Sequence, residues 1–246
     1  YVSYYANAAY SYDNKYLISV SGRKDGANIF GVKTNDKITP LWSLGLAWDI
    51  SREEFYQFRL LPRLKLRATY GFNGNVYQGS AYLNGFYSVN SITGAKTIVI
   101  NSAPNPNLRW EKVRNINVAL DFAMRNNRLS GSIEFYMKNE RDLLQPTPLA
   151  GQTGFARYLA NTARTQTSGM DFTLQSRNVN GAFQWNSTFL LSTLNDRLDK
   201  YDTPQTSSNI QTNGGITGIV GKPLYGIFSY KWAGVDPETG DPQGYL

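Results

Sequence analysis

The chemically active side chains in this sequence are carboxylates, amides and aromatic rings, because its 246 residues include no Cys and no His. This composition excludes disulfides, thiolate or imidazole metal sites, and every His-based triad or general base. The neighbouring acids Glu53 and Glu54 would point to opposite sides of a strand. No nucleophile elbow, phosphate-binding loop or metal-ligand motif is present. The sequence therefore predicts a protein that is not an enzyme and has no cofactor.

Two groups of acids offer the oxygen ligands that calcium prefers. They are Asp196, Asp199 and Asp202, and Asp236, Glu238 and Asp241. Neither spacing follows the EF-hand loop. We interpret both groups as solvated turn residues, so that no metal site is predicted.

One long polar segment places aromatic rings beside amides. This combination suits sugar recognition, because a pyranose has a C–H face for stacking and hydroxyls for hydrogen bonds. The candidate substrate-binding residues are Tyr77, Tyr82, Asn84, Phe86, Tyr87 and Asn90. The alternative, which we favour, is that the segment packs on itself or on a partner protein, as long loops commonly do.

Three tryptophans have a structural interpretation. Trp42 and Trp48 would lie about 20 Å apart on one apolar strand face, where they would anchor the two interfaces of a membrane. The alternative is that they are core aromatics of a soluble sandwich. Arg109-Trp110-Glu111 could form a charge pair beside an interfacial indole, but we interpret the segment as structural.

The elements that carry these residues show a period of two. Apolar residues alternate with polar or small ones in eight segments, for example at Leu64, Leu66 and Ala68, which face away from Lys65 and Arg67. Several segments run about ten residues, close to the ~9–11 that a tilted strand needs to cross a bilayer. Charges in mid-strand, among them Asp121 and Glu134, are expected of a water-filled lumen.

The connections alternate between short and long, as in bacterial outer-membrane barrels. Short turns are predicted at Asp13-Asn14, Asn126-Asn127 and Asn180-Gly181, and long links at about 73–114, 139–167 and 196–223. The link at 51–62 is predicted to be a longer inner turn with some helix. About nine or ten strands fit the chain, and we expect it to be part of a wider barrel.

The net charge of +7 is spread as single residues rather than concentrated in a stripe, which argues against nucleic-acid binding. No run of about 18 apolar residues is present to form a transmembrane helix.

A series of segments resembles the SusC/RagA family of TonB-linked outer-membrane proteins of the Bacteroidetes, in the family's order. The segments are 64–71 (LKLRATYG) with Gly74 and Asn75, 105–111 (NPNLRWE), 126–132 (NNRLSGS) with Tyr136 and 142–144 (DLL), 153–155 (TGF), 221–223 (GKP) with Tyr225 and Gly226, and 235–242 (VDPETGDP). Where the family has Gly-x-Glu, this chain has Gly169-Met170-Asp171, which keeps an acid.

This resemblance implies an all-β fold, a transmembrane antiparallel barrel of about 22 strands with long extracellular loops and a plugged lumen. Residues 1–246 would be one segment of that barrel, with the plug and the TonB-contacting segment before Tyr1 and the closing strands after Leu246. The implied function is import of oligosaccharides or peptides through the outer membrane, with TonB and a SusD-like surface lipoprotein as partners. The alternatives are a soluble or surface-exposed β-rich binding or adhesion module, and a barrel scaffold without active transport.

Overall fold

The computed structural model describes residues 2–26, 38–75, 82–155, 157–202, 218–224, 226 and 231–245, which form almost only β-strands. The strands are β1 (Val2–Tyr12), β2 (Tyr16–Gly26), β3 (Ile38–Asp49), β4 (Arg63–Asn75), β5 (Asn84–Val89), β6 (Lys96–Ser102), β7 (Glu111–Ala123), β8 (Leu129–Pro148), β9 (Arg157–Asn180), β10 (Gln184–Tyr201), β11 (Lys231–Val235) and β12 (Pro242–Tyr245). Single 3-10 turns cover Ile50–Arg52, Arg125–Asn127 and Gly151–Thr153. The described part of the chain has no helix that is both long and apolar enough to cross a membrane.

Eight of these strands form one antiparallel sheet in the order β1-β2-β3-β4-β7-β8-β9-β10. The pairs β5–β6 and β11–β12 are separate two-stranded hairpins. Every sheet neighbour is also the next sheet strand along the chain, so the wall is a simple up-and-down meander. The prediction of an all-β antiparallel fold is confirmed.

The strand register aligns the alternating apolar positions across all eight strands. One row through the middle of the sheet consists of Tyr10, Ile18, Leu46, Ala68, Val118, Phe135, Met170 and Thr193. The rows on either side of it are likewise mostly apolar, and the opposite face carries the polar and charged residues. Because strand side chains alternate between faces, the sheet has one apolar outer face and one polar inner face.

The turns define two ends of the sheet. At the short-turn end, Asp13 and Asn14 (φ 51° each) and Asn126 and Asn127 (φ 58° and 51°) adopt the left-handed conformation, which Asn and Asp tolerate better than most residues. The 3-10 turn at Ile50–Arg52 confirms the expected helical character of the 51–62 link. The opposite end, which carries the long connections, is called the long-loop end below.

One long link is much shorter than expected, and the other two are partly strand. Strand β8 continues to Pro148 and β9 begins at Arg157, so that most of the predicted 139–167 link is paired strand. Strand β10 likewise continues to Tyr201, and the 73–114 link contains the β5–β6 hairpin. These extensions are polar because they continue beyond the apolar face, and polar sequence alone does not separate a solvated strand from a loop.

The best-packed region lies outside the apolar band. Six of the eight buried apolar side chains among the described residues are at the long-loop end: Ala103, Leu108, Trp110, Ala160, Ala163 and Leu198. The other two, Ala119 and Ala123, lie in the single-layered wall. The packed core of this chain therefore holds its loops in place.

Candidate functional site

A clasp at the long-loop end, formed by residues 103–111 and the outer parts of β8 and β9, positions the loop that carries the candidate residues. The Asn161 side chain accepts a hydrogen bond from the Arg109 N–H (3.0 Å) and donates to the carbonyls of Arg109 (2.8 Å) and Asp142 (2.6 Å). Asn105 donates to the Leu159 carbonyl at 2.7 Å. The amides of Asn105 and Asn161 thus provide hydrogen-bond partners for backbone groups of residues 109, 142 and 159.

Charges reinforce the clasp. A bulge after Glu140 places Asp142 at a positive φ of 59°, where its carboxylate lies 2.6 Å from the Arg109 guanidinium. Glu111 accepts from the Leu144 N–H at 2.9 Å instead of pairing with Arg109. The possible charge pair of Arg109 and Glu111 is therefore not formed. Trp110, which is 2% exposed, is a core residue of the clasp, in keeping with the structural interpretation of this segment.

The candidate substrate-binding residues lie on and beside the β5–β6 hairpin, which extends from this clasp. Tyr82, Phe86 and Tyr87 are exposed, Tyr87 by 82%. Asn90 forms the hairpin turn, because its side-chain oxygen accepts from the N–H groups of Ile92 (2.9 Å) and Thr93 (3.0 Å). Tyr77 and the side chain of Asn84 lie outside the described residues.

The hairpin does not gather its aromatic rings on one surface. Phe86 pairs with Val99 and Tyr87 pairs with Ile98, and consecutive residues of a strand face opposite sides. Each ring is therefore flanked by aliphatic side chains, and the Asn90 amide oxygen already has two donors. This geometry offers apolar contact on both faces of the hairpin rather than one stacking platform with adjacent amides.

Trp42 and Trp48 lie on the outer face, in aromatic groups at its two ends. Toward the long-loop end, Trp42 lies 5.6 Å from Tyr70 and 5.5 Å from Phe72, measured between ring centroids. Toward the short-turn end, Trp48 stacks on Tyr16 at 6.4 Å with an interplanar angle of 13°. Paired aromatic borders of this kind are typical of membrane barrels.

Glu53, in the link after β3, joins the aromatic pair of Tyr16 and Trp48 to the turn between β1 and β2. It accepts from the Tyr16 hydroxyl (2.5 Å) and the Trp48 indole N–H (2.9 Å), and Lys15 lies 3.6 Å away. The Tyr16 hydrogen bond, followed by that of Trp48, holds the pKa of the Glu53 carboxyl below its usual range.

An ionic network on the inner face was not identified as a unit from the sequence. The Arg67 guanidinium binds the Asp121 carboxylate through two hydrogen bonds, of 2.7 and 2.9 Å, and approaches Glu134 to 4.0 Å. Asn117 donates to Glu134 from the same face. The sequence showed that the polar faces of β4, β7 and β8 carry charges. It did not show which of these charges are neighbours, because that depends on the register between the strands.

The acid groups form no cluster able to hold a metal among the described residues. Asp196 accepts from the Leu224 N–H, while Asp199 and Asp202 pair with Arg197 and Lys200. These residues belong to β10 or directly follow it, so their interpretation as turn residues is wrong. Asp236 does form a turn, because it accepts from the N–H groups of Glu238 and Thr239.

The sequence matches one family model over almost its whole length. Residues 1–236 match the model described as "TonB dependent receptor-like, beta-barrel". TonB-dependent receptor P26 of Formosa agariphila is 32% identical over 209 residues, which cover 80% of this chain and 20% of the relative. TonB-dependent receptor SusC of Bacteroides thetaiotaomicron is 31% identical over 211 residues, which cover 81% of this chain and 21% of the relative.

Solved structures show the same fold. A structure of the RagAB peptide transporter superposes with a TM-score of 0.81 at 25% identity, covering 98% of this chain and 26% of the other. The chain spans about a fifth of the length of the curated relatives it matches.

Proposed function

Since the chain belongs to the TonB-dependent receptor-like β-barrel family, we propose that it is part of the wall and outer loops of an outer-membrane importer for oligosaccharides or peptides. In the whole protein, a plug domain would close the lumen, TonB would supply the energy, and a SusD-like lipoprotein would cover the long-loop end. Trp42 and Trp48 would anchor the wall at the two membrane borders.

The observation that carries this proposal is the two-faced sheet of eight strands. Its outer face is mostly apolar and bordered by aromatic groups, while its inner face holds the Arg67–Asp121 pair and Glu134. A lipid-facing wall needs the first surface and a water-filled or plugged lumen needs the second. A soluble sandwich would instead need a second sheet to cover the apolar face.

The β5–β6 hairpin is the proposed outer contact surface. Tyr82, Phe86 and Tyr87 are exposed at the long-loop end of the sheet, where substrate and lipoprotein would arrive. Apolar contacts on both hairpin faces fit a peptide, the apolar face of a sugar, or a covering protein.

The test compares substrate uptake by cells that have the full-length gene with uptake by a strain from which the gene has been deleted. Fluorescent oligosaccharides and peptides are offered with and without a protonophore, which removes the energy that TonB transmits. We expect the deletion to abolish uptake of one substrate class and the protonophore to have the same effect. Uptake that survives the protonophore would indicate a passive pore, and unchanged uptake in the deletion strain would refute an import function.

A second arm of this experiment tests the hairpin. Tyr87→Ala should raise the KM for uptake or weaken co-purification of the lipoprotein, because it removes the most exposed ring. Tyr245→Ala, on the separate β11–β12 hairpin and 61% exposed, is the matched control. Equal behaviour of the two variants in both assays would exclude the hairpin as a contact surface.

A further inference from the structure

Four arginines form a patch at the short-turn end of the wall. The arginine patch consists of Arg63 at the start of β4, Arg125 and Arg128 in the turn between β7 and β8, and Arg177 near the end of β9. All four are exposed, and no ion pair found among the described residues includes any of them. The segments 122–133 and 172–195 contain no Asp or Glu at all.

Two of these arginines line a polar hollow of about 520 Å³ on the inner face. Arg63 and Arg177 share its wall with Asn127, Ser130, Gln175 and Thr188. Asp121 also borders the hollow, but both of its carboxylate oxygens bind the Arg67 guanidinium. Its charge is therefore compensated, and the hollow is left with an excess of positive charge.

The rest of the short-turn end differs from this patch. Around β1–β3, Lys15 lies near Asp13 (3.3 Å) and Glu53 (3.6 Å), and Arg52 pairs with Asp49 at 3.0 Å. The cations there have acids from the same wall. Among the described residues, the four guanidinium groups of the arginine patch have no such acid, and neither does Arg59 in the link between β3 and β4.

The chemistry of the hollow fits carboxylates. Guanidinium forks bind carboxylates through two parallel hydrogen bonds, and the hydroxyls and amides beside them can bind the remaining lone pairs. A guanidinium that is shut off from water without a counter-charge is costly. A lumen filled by protein would impose that cost at Arg63 and Arg177 unless the filling segment carried acids.

We propose that the arginine patch and its hollow dock a carboxylate-bearing surface of the plug domain and so hold the plug at the short-turn mouth of the barrel. This inference rests on the proposed function, which supplies the plug. The Asp or Glu side chains of that surface pair with Arg63 and Arg177, and Arg125 and Arg128 raise the local positive potential at the rim.

The first experiment is photo-crosslinking in the full-length protein in its native membrane. A photoreactive amino acid replaces Gln175 in the hollow or, as the control, Thr69 in the middle of the inner face. Both positions should crosslink to the N-terminal domain, and peptides caught from position 175 should contain Asp or Glu. Crosslinks from 69 but not from 175 would overturn the docking site alone. A lack of crosslinks from both would refute the plugged importer itself.

Charge reversal tests the energetic role. The double variant Arg63→Glu/Arg177→Glu should loosen the plug. At equal barrel abundance, we expect large antibiotics to enter about tenfold more readily, which corresponds to a loss of ~1.4 kcal/mol in the free energy of plug docking. The pair Arg63→Lys/Arg177→Lys keeps the charge without the guanidinium fork and should have a smaller effect. Unchanged permeability in the Glu variant would overturn the proposal. If the Glu variant instead raised only the KM for acidic substrates, the carboxylates would belong to the cargo and not to the plug.

Discussion

Glu53 contacts two other parts of the chain, Lys15-Tyr16 and Trp48. Its carboxylate accepts from Tyr16 at the start of β2 and from Trp48 near the end of β3, and it lies near Lys15 in the first turn. An ionised carboxylate is a stronger acceptor than a neutral one. The charge on Glu53 therefore helps to order the Tyr16 and Trp48 rings.

This arrangement predicts a pH dependence. Because the pKa of Glu53 is lowered in the folded state, its contribution to stability is complete above the ordinary glutamate pKa of about 4.3 and disappears as the pH falls through the lower folded value. We expect the fluorescence of Trp48, obtained as the difference between the parent and Trp48→Phe, to change on acidification below about pH 4.

The variant Glu53→Gln is the control for this prediction. It keeps an acceptor but cannot titrate, so its Trp48 fluorescence should stay constant over the same pH range. A titration of equal size in both proteins would assign the signal to a different group.

The sequence predicted the sheet face on which a residue lies more successfully than it predicted which side chains interact. The alternating positions identified the faces on which Trp42 and Arg67 lie, because a period of two needs only local sequence. The partner of Arg109 was missed because Asp142 is 33 residues away and is brought into reach by a bulge. No local pattern reports a bulge of that kind.

At the scale of elements, β8 and β9 have 20 and 24 residues, about twice the length that crosses a bilayer. The sequence predicted their apolar halves and assigned their polar halves to a loop. The clasp explains why those polar halves remain paired. Asn105 and Arg109 of the clasp bind Leu159 and Asn161 of β9. Leu108 and Trp110 beside them are 1% and 2% exposed, and each such burial contributes roughly 1.5–3 kcal/mol.

Close packing between strands makes Gly169 in β9 a sensitive position. A Cβ at this position would overlap the ring of Tyr136 on β8 and the carbonyl of Thr193 on β10. We expect Gly169→Val to destabilise the barrel by about 1–3 kcal/mol, the usual cost of overpacking, measured by denaturant unfolding of the full-length protein in detergent.

Gly22 in β2 provides the comparison, because a Cβ there would meet nothing within 4 Å. Gly22→Val should unfold at nearly the parental denaturant concentration. If both variants lost the same stability, strand glycines would matter for a reason other than the contact with Tyr136.

For the whole molecule, the apolar outer face predicts which substitutions a membrane will reject. Val118 lies in the middle row of that face and is 41% exposed. An arginine at mid-bilayer on the lipid side of a barrel costs about 2–4 kcal/mol. Val118→Arg should therefore reduce the amount of folded full-length protein in the outer membrane.

Thr69→Arg tests the opposite face at nearly the same depth, because Thr69 pairs with Asn117, the residue next to Val118. It should assemble almost normally, since the lumen face already holds Arg67. Equal tolerance of both arginines, read from heat-modifiable gel mobility, would contradict the assignment of the two faces and favour a soluble module.

The strict alternation of the wall also constrains how relatives of this protein can diverge. One residue inserted in the middle of β7 would turn every later side chain of that strand to the wrong face, sending charges into lipid. The register irregularities of the eight-stranded sheet, at Trp185/Asn186, Glu140–Leu144 and Leu198/Lys200, all lie outside the apolar rows. Insertions and deletions should therefore accumulate outside the apolar rows, so that recognition can evolve by changes in loop length while the number of residues in the wall stays fixed.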